Sequence, residues 1–365
     1  MPVEIPVTFG FRVGVPSEGY AAPPAYALVY GWALSWVPPR SVVADLYLLR
    51  AASAVLGLLT LWVAWLAARE SIGVTGGAIV ALLLALHPHF AIVSTAASPD
   101  SVAHLFGACV WWQTAAAVNG RRIRRSLVAM WAAAIAAAAA DRVGLPLLAV
   151  ALLVSLVVMT VRAPRGRPQR TRMLAAAAVG GVIVLAATAL ALYTFGSTYG
   201  FDWVFGRGLM PVPGAITWDG FFRFTWLLHQ GWWYSIGWGR YTPPDWWMAL
   251  VTLLSVVAAA GLGRRFIRER TFDDRMRTIL SVAVMAIAIQ LIAVYGTYFR
   301  LGTGGQGRYL FPLLVPSMVL IWTGMEAWTP ARHWGHAAAA LILLFAILDA
   351  AAWILVAIPA YYASF

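Results

Sequence analysis

The 365-residue sequence has no lysine, a single cysteine and very little charge of either sign. Only 11% of its residues are charged and 62% are hydrophobic, whereas a water-soluble domain keeps about a quarter of its residues charged. So sparse a charge cannot cover a soluble surface. That excludes a soluble enzyme, a disordered chain and a nucleic-acid-binding domain, although the net charge is +12. Without lysine there is no Schiff-base chemistry and no lysine general base. Cys109 alone builds neither a disulfide framework nor a cysteine metal site. P-loop, G-x-S-x-G and H-E-x-x-H patterns are absent as well.

What is present is a series of long apolar runs punctuated by arginine clusters, the pattern of a membrane protein. Ten runs approach the length needed to cross about 30 Å of hydrocarbon. They fall at 44–68, 74–97, 101–119, 126–141, 143–162, 173–195, 246–263, 278–298, 309–327 and 337–358. The expected fold is all-α: a polytopic bundle of about ten transmembrane helices. Its expected parts are an outer loop with an amphipathic helix at 1–43, helices one to six over 44–195, an aromatic-rich outer loop at 196–245, helices seven to ten over 246–358, and a tail at 359–365. The alanine-rich stretches 132–140 and 174–178 suit close helix packing through small side chains.

Charge sets the expected orientation. One set of loops carries 17 of the 26 arginines against five acids, including the clusters Arg121–Arg125 and Arg162–Arg172. The opposite set holds nine arginines and eight acids. The positive-inside rule makes the first set cytoplasmic, in a plasma (inner) membrane, and turns both termini outward. The cytoplasmic loops are short and poor in aromatics, so a reaction site is expected on the extracytoplasmic face.

Polar groups at membrane depth are costly, so each is a functional candidate. Ser98-Pro99-Asp100 opens the third span, with His104 one turn on; it reads equally as a helix cap and as a ligand or catalytic element. Asp141-Arg142 sits in a tight connection, either as a self-neutralising pair or as a phosphate-binding arginine steadied by an acid. Gln306-Gly307-Arg308-Tyr309 follows a glycine-rich loop and opens a helix; glycine backbone and an arginine at a helix start suit an anion, and an interfacial Arg/Tyr anchor is the alternative. Trp232, Trp233, Tyr234 and Trp238 are either an interfacial belt or a stacking surface for a sugar or prenyl chain. His87-Pro88-His89 lacks a third ligand and reads as a packing or kink element.

Pro23-Pro24-Ala25-Tyr26, and Leu49-Arg50 with Ser53 and Gly57 in a span that ends in Ala68-Arg69, are similar to elements of the GT-C membrane glycosyltransferases. Ser98-Pro99-Asp100, Arg142, Gly237-Trp238 and Gln306 to Pro312 resemble a branch of them, the predicted membrane proteins of domain-of-unknown-function 2142. The likeness runs from about residue 20 to 325. It implies a GT-C-like bundle with interfacial helices in its outer loops. It also implies sugar transfer from a polyprenyl-phosphate donor to an envelope glycan or lipid acceptor. The branch carries a D-E-x-x-H pattern in its first outer loop, after an initial helix. Glu4 and Glu18 do not match that pattern, so the resemblance implies either a helix ahead of Met1 or a lost base.

The expected chemistry gives Arg142 and Arg308 to the departing phosphate. Asp100, His104 and Glu18 serve the acceptor, and Gln306, Tyr309, Trp233, Tyr234 and Trp238 serve binding. The sequence singles out no cofactor. A divalent cation stays open, although one carboxylate is a weak site for it. A transfer-inactive lipid-binding or scaffold protein is the first alternative, and a transporter or flippase the second. The sparse intramembrane acids speak against transport.

Overall fold

The computed structural model describes residues 29–32, 35, 41–96, 98, 100–162, 217–236, 241–268, 274–301 and 306–362. Among them there is no strand, only one isolated bridge between Ile236 and Tyr241. Six of the described helical segments are long and apolar enough to cross a membrane. Nine of the ten expected spans fall on described helices, and 173–195 lies outside the described residues.

Helix α1 (Val42–Ala85) has 44 residues, about 66 Å if straight, which is twice a bilayer core. Gly73, at φ 86°, breaks it into the first and second expected spans. That left-handed conformation is open to glycine at little cost. The second span does not run on to residue 97 as one helix. It stops at Leu86, and α2 (Pro88–Thr95) starts afresh. Pro88 cannot donate the amide that continuation needs, and His87 caps the new helix by accepting from the Phe90 amide at 3.3 Å.

Next come α3 (Asp100–Val118), α4 (Ile123–Ala140), a 3-10 turn at Arg142–Gly144, and α5 (Pro146–Arg162). Helix α3 is the interior element. It packs on α1, α4, α5 and α9, and it buries four polar side chains: Asp100, Ser101, His104 and Thr114. Helix α4 packs on it and buries Ala133, Ala134, Ala137 and Ala138.

After residue 217 the elements are α6 (Trp218–Trp233), α7 (Asp245–Arg268), α8 (Asp274–Leu301) and a 3-10 segment at Gly307–Leu313. That segment leads into α9 (Leu314–Glu326). Helix α10 (Trp334–Ala352) then passes through a π turn at Trp353–Ala357 into α11 (Ile358–Tyr362). Helix α6 is amphipathic, leaving Trp218, Phe222 and Trp226 exposed while Phe224, Leu228, Gly231 and Trp233 are buried.

Candidate functional site

The site is assembled where four segments meet: the start of α3, the Arg142–Gly144 turn, the end of α6 and the Gly307–Leu313 segment. Two backbone features set their positions. First, Gly231 and Gly307 cross so closely that a Cβ on Gly307 would lie 1.7 Å from the Trp232 nitrogen. Only two glycines allow this approach, and it fixes Arg308 beside the end of α6. Second, Gln290 on α8, which is buried, donates from Nε2 to the carbonyls of Val143 at 3.0 Å and Tyr309 at 2.7 Å. One amide thus ties the Arg142 turn to the Arg308 segment.

The start of α3 resolves the two readings of Ser98-Pro99-Asp100. Ser98 is the cap: its Oγ accepts from the Asp100 amide at 3.3 Å, and its carbonyl accepts from the Ser101 amide. Tyr30 holds the same turn, donating to the Ser98 carbonyl at 3.2 Å and lying 2.5 Å from Ser53 Oγ. With the cap supplied elsewhere, the Asp100 carboxylate turns to Arg308, and Oδ2 lies 3.1 Å from Nη1. The acid is the hidden partner at 6% exposure, and the arginine is reachable at 29%. Gln306 Oε1 accepts from Arg308 Nε at 2.7 Å, which orients the guanidinium.

Three histidines surround the ring of Phe311 beneath this pair, His87, His89 and His104, with centroid distances of 5.7, 5.1 and 5.2 Å. His89 Nδ1 donates to the Gly231 carbonyl, so the "kink" histidine also clamps the glycine crossing. His104 is 2% exposed, and neither ring nitrogen has a hydrogen-bond partner among the described residues.

Asp100, His104, Gln306, Arg308 and Tyr309 therefore come together, along with the backbone of Arg142. The Arg142 side chain, Glu18 and Trp238 lie outside the described residues. Asp141 Oδ1 accepts from the Val143 amide at 2.9 Å, capping the turn that carries Arg142. Trp233 and Tyr234, expected along a groove, are instead fully buried. Trp233 stacks on His87 and packs on Phe345, and Tyr234 donates to the Ala352 carbonyl at 3.2 Å. Their apolar bodies fill the core against α10, which outweighs a place at the surface.

Tyr30, Ser53, His89 and Gln290 belong to this neighbourhood and were not picked out as site residues from sequence. Gln290 carried a signal, as a lone amide in an apolar helix. The Ser53 spacing was visible in the Leu-Arg-x-x-Ser element, His89 stood out in His87-Pro88-His89 without being assigned to the site, and Tyr30 carried no signal. Among the described residues, no group of three or more His, Cys, Asp or Glu side chains is placed to hold a metal ion. Asp100 is already engaged by an arginine, so the described set does not fit a divalent cation.

A family model described as "Predicted membrane protein (DUF2142)" matches residues 17–316. No curated protein matches by sequence. Among solved structures, ArnT from Cupriavidus metallidurans bound to undecaprenyl phosphate is similar at a TM-score of 0.53 and 18% identity. That match covers 88% of this chain and 53% of that one. The apo ArnT structure from the same organism gives a TM-score of 0.49 and 19% identity, over 87% of this chain and 51% of that one. An Archaeoglobus fulgidus oligosaccharyltransferase tethered to an acceptor peptide gives 0.49 and 14% identity, over 90% and 47%. The chain spans about half the length of these structures. The fold is GT-C-like.

Proposed function

We propose that this chain, which belongs to the DUF2142 family of predicted membrane proteins, moves a sugar from a polyprenyl-phosphate donor to an envelope glycan or lipid acceptor on the outer face of the cytoplasmic membrane. The observation that carries the reading is the Asp100–Arg308 pair, with its arginine reachable and its acid buried. A guanidinium held at a helix start by Gln306 is a preformed seat for a phosphate. The likeness of fold to a protein bound to undecaprenyl phosphate supports the choice of a lipid phosphate.

In the reaction the acceptor oxygen attacks the anomeric carbon, and its proton passes to a base. The bond from that carbon to the phosphate oxygen breaks, and the electron pair leaves with the phosphate. Arg308 meets the growing charge, with Arg142 as its proposed second cation. Preorganised cations at such a position are worth about 10²–10³ in rate. The base is drawn from Asp100 and His104, with Glu18 the third candidate.

The test is to incubate the purified protein with a panel of polyprenyl-phosphate sugars and follow donor consumption. Arg308→Ala is expected to abolish consumption in a folded protein, and undiminished consumption would remove the clamp. A transfer-inactive lipid-binding protein shares the arginine seat. That second reading predicts donor binding without consumption.

A further inference from the structure

We infer that Arg308 holds Asp100 out of action until an anionic donor binds, and that the released carboxylate then pairs with His104 to form the base that takes the acceptor's proton. The inference rests on the lipid-phosphate reading above and names how that site is switched on.

Three observations point the same way. The two halves of the ion pair are unequally accessible, so an arriving anion meets the arginine and not the acid. The donor phosphodiester matches a carboxylate in charge and in its two non-bridging oxygens, and as it departs it becomes a monoester with more charge and a third oxygen for the guanidinium fork, so it competes for Arg308. A buried carboxylate that loses its counter-ion needs a new donor at once, because an unpaired buried charge is strongly destabilising. Such a donor stands ready. His104 lies four residues along α3 from Asp100, on the same helix face. It is buried, and both of its nitrogens lack partners among the described residues. A buried N–H without an acceptor is costly, and at membrane depth such a cost marks a working residue. His87 and His89 are each tied through Nδ1, to the Phe90 amide and the Gly231 carbonyl. His87 also keeps an Nε2 without a partner among the described residues, but it lies ahead of α2 and not on the α3 face that carries Asp100 and His104.

Once donor phosphate draws Arg308 away, a His104 N–H donates to Asp100. That bond fixes the tautomer and leaves the other ring nitrogen as a lone pair. The place that Arg308 vacates opens the buried Asp100–His104 face to the acceptor, whose proton moves to that nitrogen as its oxygen bonds to the anomeric carbon. The electron pair of the breaking carbon–oxygen bond leaves on the lipid phosphate, now held by Arg308. The imidazolium rests against the Asp100 carboxylate and returns its proton to solvent. Base and donor are thereby present together or not at all.

The test reads binding, so it does not depend on knowing the sugar. Undecaprenyl phosphate, undecaprenol and inorganic phosphate are titrated into the full chain in nanodiscs, as wild type, Asp100→Asn and Arg308→Ala. Asp100→Asn removes the competing carboxylate and should tighten undecaprenyl phosphate binding about tenfold. Arg308→Ala should weaken it by at least about as much. Undecaprenol should bind all three alike, which certifies the fold. Where Asp100→Asn fails that control, Asp100→Ser is read in its place. In spectra of 15N-histidine-labelled protein, undecaprenyl phosphate should shift the His104 resonances in wild type and leave them unmoved in Asp100→Asn. Unchanged or weaker binding by the Asp100 variant, or an unmoved His104 in wild type, overturns the switch. Retained binding by Arg308→Ala overturns the lipid-phosphate reading instead. Inorganic phosphate that binds as tightly as the lipid keeps the switch and overturns the lipid source.

Discussion

Gln290 joins the turn that carries Arg142 to the segment that carries Arg308. It sits on an otherwise apolar helix, and its two amide hydrogens serve two carbonyls from segments far apart in sequence. Gln290→Leu keeps the volume and removes both donors, and each buried carbonyl left bare costs about 1–3 kcal/mol. The expected outcome is a lower unfolding temperature in detergent together with weakened undecaprenyl phosphate binding. Unchanged binding would mean that the two segments hold their places without the amide. From sequence, Asp100 and Arg308 were legible as candidates because charges at helix starts in an apolar chain stand out. That they would share one pocket was expected, but their direct ion pair across 208 positions was not. The burial of Trp233 and Tyr234 was hidden for a related reason. An aromatic run reads alike whether it lines a groove or fills a core, and only the position of α10 decides between them.

At the scale of elements, the glycine crossing and the π turn show how backbone is kept satisfied without water. Lipid offers no hydrogen bonds, so irregular backbone must find its donors inside the protein. Around the π turn they are side chains: Trp247 Nε1 donates to the Leu348 carbonyl at 3.1 Å, and Tyr234 to that of Ala352. Both carbonyls lie within three residues of Asp349, the acid within the last span. At the end of α6, the crossing of Gly231 and Gly307 leaves no room for a methyl group. Gly307→Ala must therefore part the two backbones, at about 1–3 kcal/mol for an overpacked site. It should carry Arg308 away from Asp100, and lost affinity for undecaprenyl phosphate with retained affinity for undecaprenol would report it. The helices themselves were largely readable, because apolar length and arginine clusters are local signals. At His87-Pro88 the proline signalled a kink, but not that one helix ends and a separate one begins, since the apolar run continues through 97.

At the scale of the whole molecule, three ion pairs among the described residues follow the division that the charge count drew. Arg121 pairs with Glu70 at 2.6 Å, and Arg265 with Glu326 at 2.7 Å. All four belong to the arginine-rich set of loops. Asp100 and Arg308 both belong to the other set. Each pair thus joins residues assigned to one side, as a bundle crossing a membrane requires. If the arginine-rich side faces the cytoplasm, the candidate site opens to the outside, where a lipid-linked sugar would have to be presented. A single native thiol makes this measurable, since Cys109 is the only cysteine in the sequence and lies within α3. In a Cys109→Ser background, a cysteine placed at Trp218, on the exposed face of α6, should react with a membrane-impermeant maleimide in intact cells. A cysteine placed at Arg332, which is exposed at the far end of α9, should react only after permeabilisation. The reverse pattern would put the Asp100–Arg308 pair on the cytoplasmic side, and the proposed outer-face transfer would fall with it.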